Sequence, residues 1–235
     1  MATPVQNFLP EIVPMERITV QARIHDELRR MLMVGKFQPG QPLKINELAE
    51  AFGTSAQPVR ESIRQLVAER ALDALANRSA RVPLHDRRQL EDLRRARVAL
   101  EGLIAELAAE AATDADIDAL AAIVDAEVAA DEGLNIERSV SQNLDFHFAL
   151  YRMSRSSVLP PILEGLWLQI GPNIRLAAEM FDAREGRGAE LHVRTLEALR
   201  RRDGAAARAA IEADINRFFD LLARNPSIPD GPGAG

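Results

Sequence analysis

The 235-residue chain contains no cysteine. Disulfides and thiolate metal ligands are thereby excluded, and any metal site has to be built from His, Asp, Glu, Asn or Gln. No apolar run approaches the roughly 18–20 residues that a membrane span requires. The opening stretch MATPVQNFLPEIVP lacks the basic start and apolar core of a secretory signal. These absences lead to the expectation of a cytoplasmic protein with no membrane partner. An excess of positive charge, a common mark of nucleic-acid binding, is missing too, since the net charge is −6. The deficit is uneven. Residues 1–84 hold 11 basic and 9 acidic side chains, whereas residues 85–235 hold 18 and 26. The acidity belongs to the second part, which leaves the first compatible with DNA.

Hydrophobic residues make up 47% of the chain and charged residues 27%, as in an ordinary folded protein, and the length suits two domains. Residues 1–15 are proline-rich and aperiodic, a loose arm. Over 16–34 the apolar residues Ile18, Ala22, Ile24, Leu28, Met31 and Leu32 recur at helical spacing. Gly35 closes this helix, and Pro39-Gly40 marks a turn before a short extended stretch. A second helix is predicted over 45–52, ending at Gly53. A third runs to about residue 69, with Ser55 as N-cap and Pro58 in the first turn, where its missing N–H costs nothing. Helix, short glycine-containing turn, helix is the helix-turn-helix outline. Short apolar segments at 72–75 and 80–84, around Ala76-Asn-Arg-Ser79, read as two strands and a wing.

From Arg87 onward strand signals stop and alanine- and leucine-rich amphipathic segments take over. Helices are predicted at 87–112, 115–132, 137–153, 158–182, 187–201 and 204–223. The Pro- and Gly-rich stretch 225–235 reads as a disordered tail. The fold class is therefore mainly α, a winged helix-turn-helix with a small two-stranded wing over 16–84 followed by an all-α bundle over 85–224.

On the third helix Val59, Ile63 and Leu66 share one face, while Gln57, Arg60 and Arg64 occupy another. That polar face can enter a major groove, with Gln57 reading bases and Arg60 holding phosphate. The alternative is that the arginines are surface charges paired with Glu61 or Glu69. Gly35-Lys-Phe-Gln-Pro-Gly-Gln-Pro-Leu43, Glu47-Leu-Ala49, Gly53-Thr-Ser55, Pro58-Val-Arg-Glu61 and Leu66-Val-Ala-Glu69 together resemble the DNA-binding domain of GntR-family bacterial regulators over about residues 17–84. The resemblance implies a double-stranded DNA operator as partner. It implies DNA contacts from Lys44 and Asn46 on the second helix, from Ser55, Gln57, Pro58, Arg60 and Arg64 on the third, and from Asn77, Arg78 and Ser79 in the wing. The sequence departs from the family at Asn46 and Ala56, where base-reading arginines are usual, and at Ser79, where glycine is usual. A bidentate arginine contact supplies about 1–3 kcal/mol of discrimination, so another side chain has to read the operator.

In the second part, Arg97-Val-Ala-Leu-Glu101, Asn143-Leu-Asp-Phe-His147 and His192 resemble the FCD effector domain of the FadR branch over about residues 87–223. That resemblance implies a divalent metal held at the positions matching Asn143, His147, His192 and Asp214. Asn stands here where Asp is usual, and Asp where a third His is usual. Independently of the family, Asn143 and His147 are four apart on one helical face. His192 and Asp214 lie equally far either side of Asp203, so an antiparallel hairpin bent there puts both about 16 Å from the turn. Two imidazoles, a carboxylate and an amide suit zinc, nickel or manganese, and a polar pocket needing no metal is the alternative. The resemblance further implies a small carboxylate effector; Arg97, which matches the family pattern, and Arg175, by position alone, are the candidate anchors, the alternative being that either is a surface charge. The reading is a non-enzymatic, ligand-responsive repressor that works as a homodimer, since one recognition helix spans only a few base pairs. Two rivals remain at this point: a metal-dependent hydrolase built on the helical part, which lacks a His-Glu-x-x-His motif, or a structural helical dimerisation protein.

Overall fold

The computed structural model describes residues 19–75, 79–180 and 188–231. Helix α1 (Val20–Met33) starts where Thr19, in extended conformation, accepts a hydrogen bond from the Ala22 amide. Its apolar stripe, Ile24, Leu28 and Leu32, is buried. Helices α2 (Ile45–Ala51) and α3 (Ala56–Ala68) follow, separated by a turn that uses Gly53 at φ +62°. Ser55 takes the N-cap position of α3, but its side chain makes no capping bond. Val59, Ile63 and Leu66 are buried beneath α3 as its periodicity requires.

The sheet has three strands rather than the two predicted. Strands β1 (Pro42–Leu43), β2 (Asp73–Ala74) and β3 (Ala80–Arg81) pair antiparallel in the order β1-β3-β2. Residue Arg81 stands opposite Pro42 on one side and Asp73 on the other. The stretch after Pro39-Gly40 supplies the third strand, too short at two residues to show an alternating pattern. Asn77 and Arg78, at the expected wing tip, lie outside the described residues, as do residues 1–15 of the expected arm.

The second part is all helix: α4 (Arg87–Ala111), α5 (Asp114–Glu132), α6 (Ile136–Met153), α7 (Leu159–Met180), α8 (Glu190–Arg200) and α9 (Gly204–Ala223). Reciprocal capping boxes, Asp86 with Gln89 and Thr113 with Asp116, fix the starts of α4 and α5. Helices α8 and α9 form the predicted hairpin, with Arg202 in left-handed conformation at the bend. Trp167, Tyr151 and Phe146 are fully buried at the centre of the bundle.

The expectation of a disordered tail needs correcting for 225–231. Asn225 and Ile228 are buried, the Arg87 amide donates to the Pro229 carbonyl, and the Arg87 guanidinium reaches Asp230 at 2.8 Å. An isoleucine and an aspartate among the prolines give this segment something to bury and something to pair.

The two parts touch directly. A Cβ placed on Gly171 of α7 would fall 2.4 Å from the Leu32 carbonyl oxygen and 2.6 Å from Met33 Cα, so only glycine allows α1 to approach so closely. Arg29 bridges Glu69 of the reader, at 2.7 Å, and Glu164 of α7, at 3.0 Å, and Lys36 pairs with Glu137 of α6.

Candidate functional site

A cavity of about 490 Å³ opens between α5, α6, α7 and α9. At its deeply buried end stand Arg97, His147, Trp167 and Asp214. Three helices bring the predicted ligands together here. Donor atoms of His147 (α6), His192 (α8) and Asp214 (α9) all lie within 4.8 Å of one another. Both Nε2 atoms face the same oxygen, Asp214 Oδ2, at 3.4 Å from His147 and 3.5 Å from His192. Asn143, one turn before His147, also lines the cavity.

Two glutamates that sequence reasoning passed over orient this cluster. Glu127 on α5 binds His192 Nδ1 at 2.6 Å, and Glu101 on α4 lies 3.0 Å from His147 Nδ1, though out of hydrogen-bond line. Glu101 also accepts from the Arg97 guanidinium and from the Tyr151 hydroxyl, which in turn accepts from the Trp167 indole N–H at 2.7 Å. Arg97 sits over the Trp167 ring, 4.6 Å from its centre. A glutamate in an alanine-rich helix looks like a surface residue. The available signal was spacing, because Arg97 and Glu101 are four apart and both lie on the buried face of α4.

The electrostatics follow from burial. One guanidinium, Arg97, faces three buried carboxylates, Glu101, Glu127 and Asp214, so acidic groups outnumber it in the buried part of the site. Arg217 offsets one of these from the partly exposed rim, donating to Asp214 Oδ1 at 2.9 Å. Burial disfavours the charged form of His192, but Glu127 and then Asp214 outweigh it and push its pKa up to about 10. Burial likewise opposes ionisation of Glu101, yet Arg97 and then His147 hold it down to about 2. Burial works against ionised Asp214 as well, and its histidine partners, His192 first, keep it well below the usual carboxylate range.

These residues fit a divalent cation. His192 Nε2 is buried with no hydrogen-bond partner and points at the shared oxygen. Glu127 bonds the other ring nitrogen of His192, the arrangement that fixes a metal-binding tautomer, and Glu101 stands 3.0 Å from that of His147. The donors are nitrogen and oxygen only, which suits zinc, nickel or manganese. Of the two candidate effector arginines, the cavity takes Arg97 alone. Arg175 is absent from its lining. It bonds Glu179 at 2.9 Å and lies against Gly35, which turns the chain after α1 at φ +65°. Four residues after Gly171, Arg175 shares the face of α7 that meets the reader.

On the reader, Asn46, Ser55, Gln57 and Arg64 are exposed, and Pro58, Arg60 and Ser79 are half-buried. Lys44 is exposed and bonds Glu47 at 2.7 Å. The alternative pairing of Arg60 and Arg64 is not formed among the described residues. Glu61 accepts instead from Gln57 at 2.7 Å, and Glu69 is taken by His25 and Arg29.

Residues 20–82 match the family described as bacterial regulatory proteins, gntR family, and residues 92–217 match the FCD domain. The HTH-type transcriptional regulator McbR of Escherichia coli (strain K12) is 29% identical over 215 residues, covering 91% of this chain and 97% of McbR. The solved structure of E. coli McbR/YncC superimposes with a TM-score of 0.82 at 27% identity, over 88% of this chain and 99% of that one. The Nta operon transcriptional regulator of Aminobacter aminovorans is 30% identical over 190 residues, 79% of this chain and 86% of that protein. The galactonate operon transcriptional repressor of E. coli (strain K12) is 27% identical over 212 residues, 80% and 90% of the two chains.

Proposed function

Since the chain belongs to the gntR family of bacterial regulators and carries an FCD domain, we propose that this DNA-binding transcription regulator is a homodimeric repressor that senses a small organic acid through a divalent cation. The single observation carrying this reading is the meeting of His147 Nε2, His192 Nε2 and Asp214 Oδ2 at the buried end of a cavity. The family is one of regulators rather than enzymes, which displaces the hydrolase, and its DNA-reading domain displaces the purely structural helical protein. Repression is taken from relatives such as the galactonate operon repressor. No helix among the described residues is long and apolar enough to cross a membrane.

Each residue has a distinct task. His147, His192 and Asp214 hold the cation, with the Asn143 amide oxygen as fourth donor, while Glu101 and Glu127 orient the imidazoles. A bound cation supplies a positive centre for carboxylate oxygen. Arg97, locked by Glu101 and Trp167, adds a fixed positive charge beside it.

Helix α7 carries the signal outward. Trp167, Ile174, Ala177 and Ala178 line the cavity, and Gly171 between them in the chain presses on Leu32 and Met33 of α1. A ligand that favours one placement of α7 therefore biases the placement of the reader. There α3 enters the major groove, with Gln57 reading a base and Arg60 and Arg64 engaging phosphates, flanked by Lys44, Asn46, Ser55, Pro58 and Ser79.

Elemental analysis of the purified protein tests the cation. The wild type should carry close to one equivalent of zinc, nickel or manganese per chain, and the His147→Ala/His192→Ala protein almost none. Equal metal content in the two refutes the assignment.

A further inference from the structure

Resting on the organic-acid reading of this cavity, we propose that its ligand is an amphipathic monocarboxylate, one carboxylate on an unhydroxylated aliphatic or arylalkyl body, rather than a sugar acid. The argument begins with how polar groups are distributed. The deeply buried charge gathers at one end, where Arg97, His147 and Asp214 are each less than one tenth exposed, while Asp131, Glu132, Glu179 and Arg217 line the more exposed part. Above them the wall is hydrocarbon: Val140, Ile174, Ala177 and Ile215 are buried and line the cavity. The outer residues include Leu134, 79% exposed, and Ile136, 38% exposed. Leu134 is held at φ +52°, a left-handed conformation that a leucine rarely adopts.

Several polar side chains along the wall already have partners. Ser139 donates to Asp131 at 2.6 Å, and Asp131 also accepts from the Ala189 amide at 2.9 Å. Asn135 caps α6 by accepting from the Arg138 amide, and Glu179 accepts from Arg175. A polyhydroxylated ligand would give up its water hydrogen bonds along this wall for few replacements. An apolar body would instead gain by leaving water.

Size sets the range. At about 30 Å³ per water, the 490 Å³ cavity has the volume of roughly 16 water molecules, which suits a ligand on the order of ten to fifteen non-hydrogen atoms. A carboxylate seated at the charged end leaves its body running along hydrocarbon towards Leu134 and Ile136, which it would cover.

Calorimetric titration of the full-length protein, as purified, tests this with acetate, butanoate, hexanoate, octanoate, gluconate and 1-octanol. The expected result is one site per chain, with Kd falling about three- to fourfold for each added methylene up to octanoate. Gluconate should bind no tighter than acetate. 1-Octanol, which lacks the charged head, should bind at least about tenfold more weakly than octanoate. A flat series, or gluconate tighter than octanoate, overturns the proposal while leaving an organic-acid site standing. If none of the acids binds, both the proposal and the organic-acid reading fall.

Discussion

Two glycines on α7 give opposite predictions for the same substitution. At Gly165, which is half-buried, an added Cβ meets nothing within 4 Å. Alanine there removes an entropic penalty from a helix interior and should stabilise the protein by about 0.8–1 kcal/mol. At Gly171 the new Cβ would fall 2.4 Å from Leu32 O, 2.6 Å from Met33 Cα and 3.0 Å from Leu32 C. All three are backbone atoms, so no side chain can swing away. Ordinary carbon contacts lie near 3.5–4.0 Å, and α1 and α7 have to part by roughly 1 Å. Overpacking of this kind costs about 1–3 kcal/mol. Pro172 follows, and a Cβ before proline is disfavoured in helical conformation, which cancels part of the gain from losing glycine. The variants should therefore differ by about 1–4 kcal/mol, with Gly171→Ala less stable than wild type and Gly165→Ala more stable. The chain has one tryptophan, Trp167, fully buried on this same helix, so urea unfolding followed by its fluorescence reports the relevant element. Gly171→Ala should also retain operator binding while losing its response to effector, because the coupling contact is the part removed. A Gly171→Ala protein as stable as Gly165→Ala, with an unchanged effector response, would refute both the close-approach argument and the role given to α7.

Arg60→Ala should weaken binding to every DNA sequence and lower the salt dependence by about one counterion, whereas Gln57→Ala should shift base preference by about 1–3 kcal/mol at one position. Gel shifts with operator and scrambled duplexes separate the two, and unaltered affinity in both variants removes α3 from the interface. Hydrogen bonds from the Thr113 hydroxyl and backbone, with help from Arg155, hold Asp116 below its ordinary pKa of 3.8. A depressed pKa contributes stability above the unfolded value that is lost as pH falls through the folded one. Asp116→Asn should therefore melt below wild type at neutral pH and alongside it near about pH 2, and a gap independent of pH would be contrary. Ile228→Ala should lower stability by about 2 kcal/mol in urea, since the side chain is buried, and an unchanged midpoint would show that the segment does not pack.

Helices were the most legible part of the sequence because the apolar period persists through the alanine-rich stretches. Their boundaries were marked by Asp86, Thr113 and Asp203, whose side chains cap α4, α5 and α9. The third strand was legible only as a short extended stretch, because two residues cannot display a period and only pairing with β3 makes Pro42–Leu43 a strand. At the site, the hairpin bend at Asp203 correctly brought His192 level with Asp214. Arg175 went astray for a geometric reason. Its side chain lies against Gly35 and bonds Glu179, so it packs towards the reader rather than into the cavity. Glu101 and Glu127 were missed because burial, not residue type, separates an orienting carboxylate from a solvated one. Their helices show that burial only once packed.

The docking of α1 on α7 also sets an order of events in biosynthesis. Arg29 and Glu164 are 135 residues apart, which at about 5–20 residues per second corresponds to roughly 7–27 s of translation. Over that interval the reader can close α1 against α3 through His25 and Glu69, yet the backbone at Leu32 and Met33 has no Gly171 to meet. The contacts within the reader can thus form before α7 exists, and the docking of α1 on α7 is among the later contacts of the chain to close.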